Sequence, residues 1–228
     1  MKLLLSLLVA LAVLAGGDRA AAWQAGHLIG QHLQQSYRLP QTPAVQVQGI
    51  PFLTQWASGS YEEIDVHVDR LPVQGVTVTN VTVRLEQVTT HPFATSAREV
   101  TGASAGTARA EGLVPYADLP LPPGLELAPG PGGRLRLQGS FPVGPATIPI
   151  QADLEVTVRD GAVELGVADV QTAEPLLGPR VASLLRSALD GVIGLRPSLL
   201  GLQLQSIQVR EQGLEVSAAG RQVPLNPP

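Results

Sequence analysis

Five short stretches carry side chains whose types and spacing could do chemistry. Gly102 to Gly106 reads GASAG, a match to the G-x-S-x-G turn that presents a nucleophilic serine between a strand and a helix. That chemistry needs a helix after Ser104 and a histidine later in the chain to take its proton. The pattern after Ser104 is not helical, and His27, His32, His67 and His91 all precede it. Asp65-Val66-His67-Val68-Asp69 puts three polar groups on one strand face, a donor set that hard and borderline cations use. Strict alternation with valine also makes this trio the wet face of a half-buried strand, and no second ligand cluster accompanies it. His27 and His32 are five apart, so they do not share a helix face as zinc-protease histidines do. Glu62 and Glu63 show no pattern of burial that would pair them for glycoside hydrolysis. Asn80-Val81-Thr82 is a glycosylation sequon that matters only in a host that glycosylates exported chains. No phosphate-binding loop or dinucleotide fingerprint is present. Catalysis, a resident metal and a cofactor are therefore not expected.

The elements that must position any site are mostly strands. Val45 and Val47 alternate with glutamines, and Ile64, Val66 and Val68 alternate with Asp65, His67 and Asp69. In VQGVTVTNVTVRLEQV, Val76 and Val78 hold one parity and Val81, Val83 and Leu85 the other. A one-residue slip turns every side chain over, so a bulge is expected near Asn80. Residues 101–133, rich in Gly, Ala and Pro, read as loop with one short strand and a helical turn at Tyr116 to Leu119. Ile148 to Val158 keep one parity over a long strand, and Asp160-Gly161 marks a hairpin to Val163, Leu165 and Val167. A final hairpin runs from Leu202 to Val209 and back through Leu214 and Val216.

Two helices are expected. Gly178 to Ile193 carries Val181, Leu184, Leu185, Ala188, Leu189, Val192 and Ile193 at i, i+3, i+4 and i+7, a broad apolar stripe. Pro179 suits its first turn, and Gly194 and Pro197 its end. Trp23 to Tyr37 is a weaker helix with Leu28, Ile29 and Leu33 as its apolar stripe, stopped by Pro40 and Pro43.

Composition bounds the setting. Twenty-four Gly and 20 Pro without a collagen period imply many short elements joined by turns. A formal net charge of −4 gives no basic field, which argues against nucleic acid. Lys2, the apolar run Leu3 to Ala15 and the small residues Ala20 to Ala22 have the build of a secretory signal peptide cut after Ala22. A retained signal anchor is the alternative. Cysteine is absent, so neither a lipobox nor a disulfide operates. The chain has only two Trp, three Tyr and three Phe, yet Phe52, Trp56 and Tyr61 fall within VQGIPFLTQWASGSY, framed by Gly49, Pro51 and Gly59.

VQGIPFLTQWASGSYEEIDVHV resembles the V-x-G-x-P-F-L-T-Q…G-x-Y…V-x-V segment of the LmeA-like phospholipid-binding proteins. AEGLVPYADLP is similar to that family's Pro-Tyr-x-Asp-Leu stretch, and LQSIQVREQGLEVSAAGRQVPL to its closing hairpin. The resemblance covers roughly Val45 to Leu225. It implies an α+β, TULIP-like fold: a long curved antiparallel sheet wrapped around one amphipathic helix, with a short N-terminal helix. The expected organisation is a signal peptide over residues 1–22, an N-terminal helix and linker over 23–43, and a lipid-binding domain over 44–228. The expected protein is exported, in the periplasm or cell envelope, and binds or transfers phospholipid or glycolipid acyl chains in an apolar groove between sheet and helix, with a membrane surface as a further partner. Phe52, Leu53, Trp56 and Phe93 are expected to line or gate the groove. Val181, Leu184, Leu185, Leu189, Val192 and Ile193 on the amphipathic helix would form its wall. Arginines 134, 136, 180, 186 and 196 are candidates for a phosphate headgroup. The competing reading is a structural or accessory envelope protein whose closed core is filled and whose partner is another protein.

Overall fold

The structure is a computed structural model, and it describes residues 2–73, 75–94, 102–119, 121–143, 146–159, 161–172, 182–183 and 201–225. Helix α1 runs Lys2–Tyr37 without a break. Strand β1, Ala44–Val47, leads through a cis Ile50–Pro51 bond into helix α2, Phe52–Ser58. The strands then follow as β2, Ser60–Val73; β3, Val76–Thr89; β4, Ser104–Pro115; β5, Leu125–Pro129; β6, Leu135–Val143; β7, Ala146–Arg159; β8, Ala162–Thr172; β9, Gln203–Val209; and β10, Gly213–Pro224. One sheet has the order β1-β2-β3-β4-β10-β9 and the other β5-β6-β7-β8, and every pairing is antiparallel. The fold is α+β with open antiparallel sheets of the TULIP-like kind. The amphipathic helix expected over 178–193 lies outside the described residues, apart from buried Ala182 and exposed Ser183.

The two sheets meet over a common apolar core. Leu135, Leu137 and Leu154 are fully buried there, joined by Val76, Val114 and Leu214 from the larger sheet. Farther along the larger sheet, a second cluster gathers Val68, Val81 and Leu39, and a third gathers Val47, Phe52, Ile64, Val88 and Ala105. Val76 belongs to the first cluster and Val88 to the third, so the two lie at opposite ends of β3, about 40 Å apart at strand rise. The expected bulge is present. Pairing between β3 and β4 shifts register between Thr79 and Thr82, and Asn80 adopts φ 52°. The shift lets Val78 and Val81, of opposite parity, pack in one cluster.

Three expectations need correction. The Gly/Ala-rich stretch after residue 101 is not mainly loop: β4 is a twelve-residue central strand between β3 and β10. Small residues suit it because Ala105 and Ala108 are buried, and a Cβ at Gly112 would come within 2.7 Å of Val78. The same strand removes the nucleophile elbow, since a strand rather than a helix follows Gly102. The aromatic segment framed by Pro51 and Gly59, where no helix is expected, is a two-turn helix. It ends at Gly59, whose left-handed φ of 69° and crowded Cβ position against the Thr90 carbonyl admit glycine alone without strain.

Helix α1 supplies the third correction. It buries Asp18, Ala22, Gly26 and Gly30, spaced four apart, while Leu28 and Ile29 face solvent. The reason is close approach. Gly26 and Gly30 lie on the backbone of the segment leading into β1. A Cβ at Gly26 would run into the Val45 carbonyl oxygen, and one at Gly30 would lie 2.5 Å from that of Pro43. An apolar stripe of leucines could not come that near. Helix α1 thereby covers the edge of the larger sheet.

Candidate functional site

The aromatic segment forms a layered corner on α2. Phe52 is 5% exposed and packs among Ala22, Val47, Ile64, Val88 and Ala105. Its ring lies 6.3 Å from that of Tyr61, and burial pushes the Tyr61 hydroxyl pKa up. Trp56 is half-buried and meets Phe93 edge-on at 5.1 Å. The Trp56 indole N–H donates to the Ala94 carbonyl at 3.0 Å, and the Phe93 amide donates to the Trp56 carbonyl at 3.0 Å. Ile50 at 76%, Leu53 at 48% and Phe93 at 58% exposure leave an apolar surface around this corner. Phe52 therefore fills the core, and Leu53, Trp56 and Phe93 present the outer face.

One carboxylate organises the corner. Asp18, buried on α1, accepts the amide hydrogens of Phe52 and Leu53, each at 2.9 Å, and these are first-turn donors of α2 that no intrahelical acceptor can satisfy. Pro51 at the N-cap has no side-chain oxygen to offer, so the cap comes from 34 residues earlier. The Leu53 and Phe52 amides, with Arg19 beside them, hold the Asp18 carboxyl below its ordinary value of 3.8. Arg19 pairs with Asp18 at 2.9 Å and donates to the Gly49 carbonyl at 2.7 Å. Gln55, also buried, donates to the Gln48 carbonyl at 3.0 Å and accepts the Glu62 amide at 2.9 Å. The loop from Gly49 to Gly59 is thus fixed from both sides.

A second apolar surface lies between the sheets. Around Leu135, Leu137 and Leu154 the core is fully buried, and toward the edges its apolar residues are half-buried. Val156 on β7, Leu165, Val167 and Val170 on β8, and Ile207 and Val209 on β9 pack against that core and remain half-buried. Strands β8 and β9 are edges of their respective sheets. Along β8 Glu164 and Gly166 are exposed between half-buried Val163, Leu165 and Val167; Ala168 and Asp169 are both exposed where the pairing with β7 shifts register, and Val170 returns to the half-buried side. The segment joining β8 to β9 carries Val181, Leu184, Leu185, Leu189, Val192 and Ile193, the expected groove wall, which lie outside the described residues together with Arg180, Arg186 and Arg196.

The polar constellations resolve into sheet contacts. Asp65 pairs with Arg84 at 3.1 Å, and His67 stands 3.3 Å from the Thr82 hydroxyl and 3.4 Å from Asp69. Among the described residues no group of three His, Asp or Glu side chains is placed to hold a metal. Arg136 clasps Asp153 across β6 and β7 at 2.8 and 3.3 Å and holds its carboxyl pKa below the usual value, while Arg134 is exposed. Ser104 shares a 3.0 Å hydroxyl contact with Thr89 at the start of β4. A hollow of about 500 Å³ is lined by Asn80, Thr82, Glu111, Leu113, Arg210 and Glu215, a polar rim of mixed charge in which Arg210 is engaged by Glu215 at 2.6 Å.

Sequence reasoning missed Asp18 and α2 together. Each is illegible alone, because the cap and the helix it caps are far apart in the chain. The class these features define is an open-sheeted, apolar-cored α+β domain of TULIP-like build. The chain belongs to the LmeA-like phospholipid-binding family, whose model matches residues 16–219. No curated protein and no solved structure matches the chain. Membership makes it a lipid-binding protein.

Proposed function

We propose that this is an exported cell-envelope protein that holds phospholipid or glycolipid acyl chains along the apolar surface between its sheets, at the β8 and β9 edges, without catalysing a reaction. The observation that carries the reading is the row of half-buried Leu165, Val167, Val170, Ile207 and Val209 beside the fully buried Leu135, Leu137 and Leu154. Single half-buried aliphatics are ordinary, but here they are contiguous along the two edge strands, as a binding surface requires. The sequence supports a matching wall, since the segment between β8 and β9 holds the one broad apolar helical stripe of the chain. Each methylene taken from water contributes about 0.8 kcal/mol, so a long acyl chain gains on the order of 10 kcal/mol before binding entropy is subtracted.

The test is native mass spectrometry on protein purified without detergent, followed by addition of phospholipid. Adducts of phospholipid mass are expected. A clean apo mass that takes up no added lipid overturns the reading in favour of a filled core with a protein partner. Leu165→Asp is expected to weaken uptake about tenfold or more, since a carboxylate in an apolar wall is costly to desolvate. Glu164→Gln, exposed on the opposite face of the same strand, should leave uptake unchanged.

A further inference from the structure

The Asp18 clamp bears on the fate of the N-terminal helix. Cleavage after Ala22 would remove Asp18, Arg19, Ala21 and Ala22. It would strip the α2 amides and the Gly49 carbonyl of their partners and open the packing around Phe52. The match to the family model begins at residue 16, inside the segment that a leader peptidase would discard.

We propose that α1 stays on the mature protein as a membrane-anchoring helix, and that it seats the α2 corner, with Ile50, Leu53 and Phe93, on a lipid bilayer. This surface is separate from the acyl site between the sheets and does not depend on it. Helix α1 continues N-terminally from Asp18 through the apolar sequence Leu3 to Gly17. That stretch gives about 22 Å of helix, short of the roughly 30 Å hydrocarbon core. A short anchor is accommodated by drawing its flanking residues into the interface. The residues flanking this one suit that level. Asp18 and Arg19 are already paired with each other and with backbone groups, which lowers the cost of bringing them near hydrocarbon. Leu53 and Trp56 share a face of α2 at i, i+3 spacing, with Phe93 stacked edge-on against Trp56 and Ile50 exposed beside them. Tryptophan favours the membrane interface, and exposed Ile50, Leu53 and Phe93 add apolar area beside it.

The experiment uses the full chain, expressed with its own N-terminus in an exporting bacterial host. Intact mass and carbonate-washed membrane fractionation should find an uncut chain in the membrane. A mature chain starting at any residue from Ser6 to Trp23 overturns the proposal, as does an uncut chain in the soluble fraction. Because the chain has no cysteine, Ile50→Cys and Leu53→Cys each give one labelling position for an environment-sensitive dye. On phosphatidylcholine–phosphatidylglycerol vesicles both labels should shift to the blue, while Glu126→Cys, exposed on β5 of the other sheet, should not. Equal shifts at all three positions, or none at Ile50 and Leu53, overturn the seating.

Discussion

At the residue scale, Asp18 couples folding to pH. Its carboxyl is held below 3.8 in the folded state by the Leu53 and Phe52 amides and by Arg19. Between the folded pKa and 3.8 the unfolded chain binds more protons, so stability rises with pH across that window. The contribution is complete above 3.8 and is lost as pH falls through the folded value. Asp18→Asn keeps an acceptor oxygen but no charge. The variant should melt a few degrees below the parent at pH 6, on the order of 2–6 °C for losing the charge and one of the two amide acceptors in a chain this size. The gap should narrow steadily below pH 4, when the parent's own carboxyl protonates. Melting curves from pH 3 to 7 check this, and a gap that does not change with pH would remove the charge from the clamp. Nothing near Asp18 in sequence announces the role, because a cap is legible only when it sits beside its helix. Phe52 and Trp56 were legible as unusual, being scarce aromatics between glycines. Their division of labour, one filling the core and one facing out, depends on which side of α2 meets Val47 and Ile64.

At the element scale, α1 shows how an amphipathic reading goes astray. The expected stripe of Leu28, Ile29 and Leu33 obeys helical period, but the helix packs where it can approach a backbone most closely. This gives opposing signs for one substitution at two glycines. Gly17→Ala places its methyl in open space and gains helix propensity, so it should stabilise by up to about 1 kcal/mol. Gly26→Ala gains the same propensity but drives the methyl into the Val45 carbonyl, where backbone must move. Overpacking of that kind costs about 1–3 kcal/mol, so the clash wins and the net effect is destabilising. Urea unfolding midpoints for the pair decide it, and a stabilised Gly26→Ala would mean that α1 does not lie on the β1 segment. Strands with one dry face were legible, including the Asn80 bulge, because burial on one face writes directly into the sequence. Strand β4 was not, since its neighbours demand small side chains and leave no hydrophobic alternation to read.

At the scale of the whole molecule, sequence patterns could mark which strands are half-dry but not that they divide into two sheets. That division follows from the order β1-β2-β3-β4-β10-β9 beside β5-β6-β7-β8, a matter of long-range pairing. It creates both a fully buried core and a half-buried apolar rim, and one pair of neighbours separates them. Leu154 and Val167 are register partners across β7 and β8; Leu154 is fully buried, whereas Val167 is half-buried. A bound lipid at 100 times its dissociation constant adds about 2.7 kcal/mol, several degrees of melting temperature for a domain this large. Leu154→Ala should lower stability by about 2–5 kcal/mol through cavity formation, yet keep the lipid-induced rise, because the rim is intact. Val167→Asp should cost the apo protein less and abolish most of the rise, because the charge sits where methylenes would lie. Thermal melts of both variants with and without phospholipid read the two effects separately. If Leu154→Ala loses the rise and Val167→Asp keeps it, lipid does not lie along the β8 edge, and the open rim between the sheets must belong to a protein partner instead.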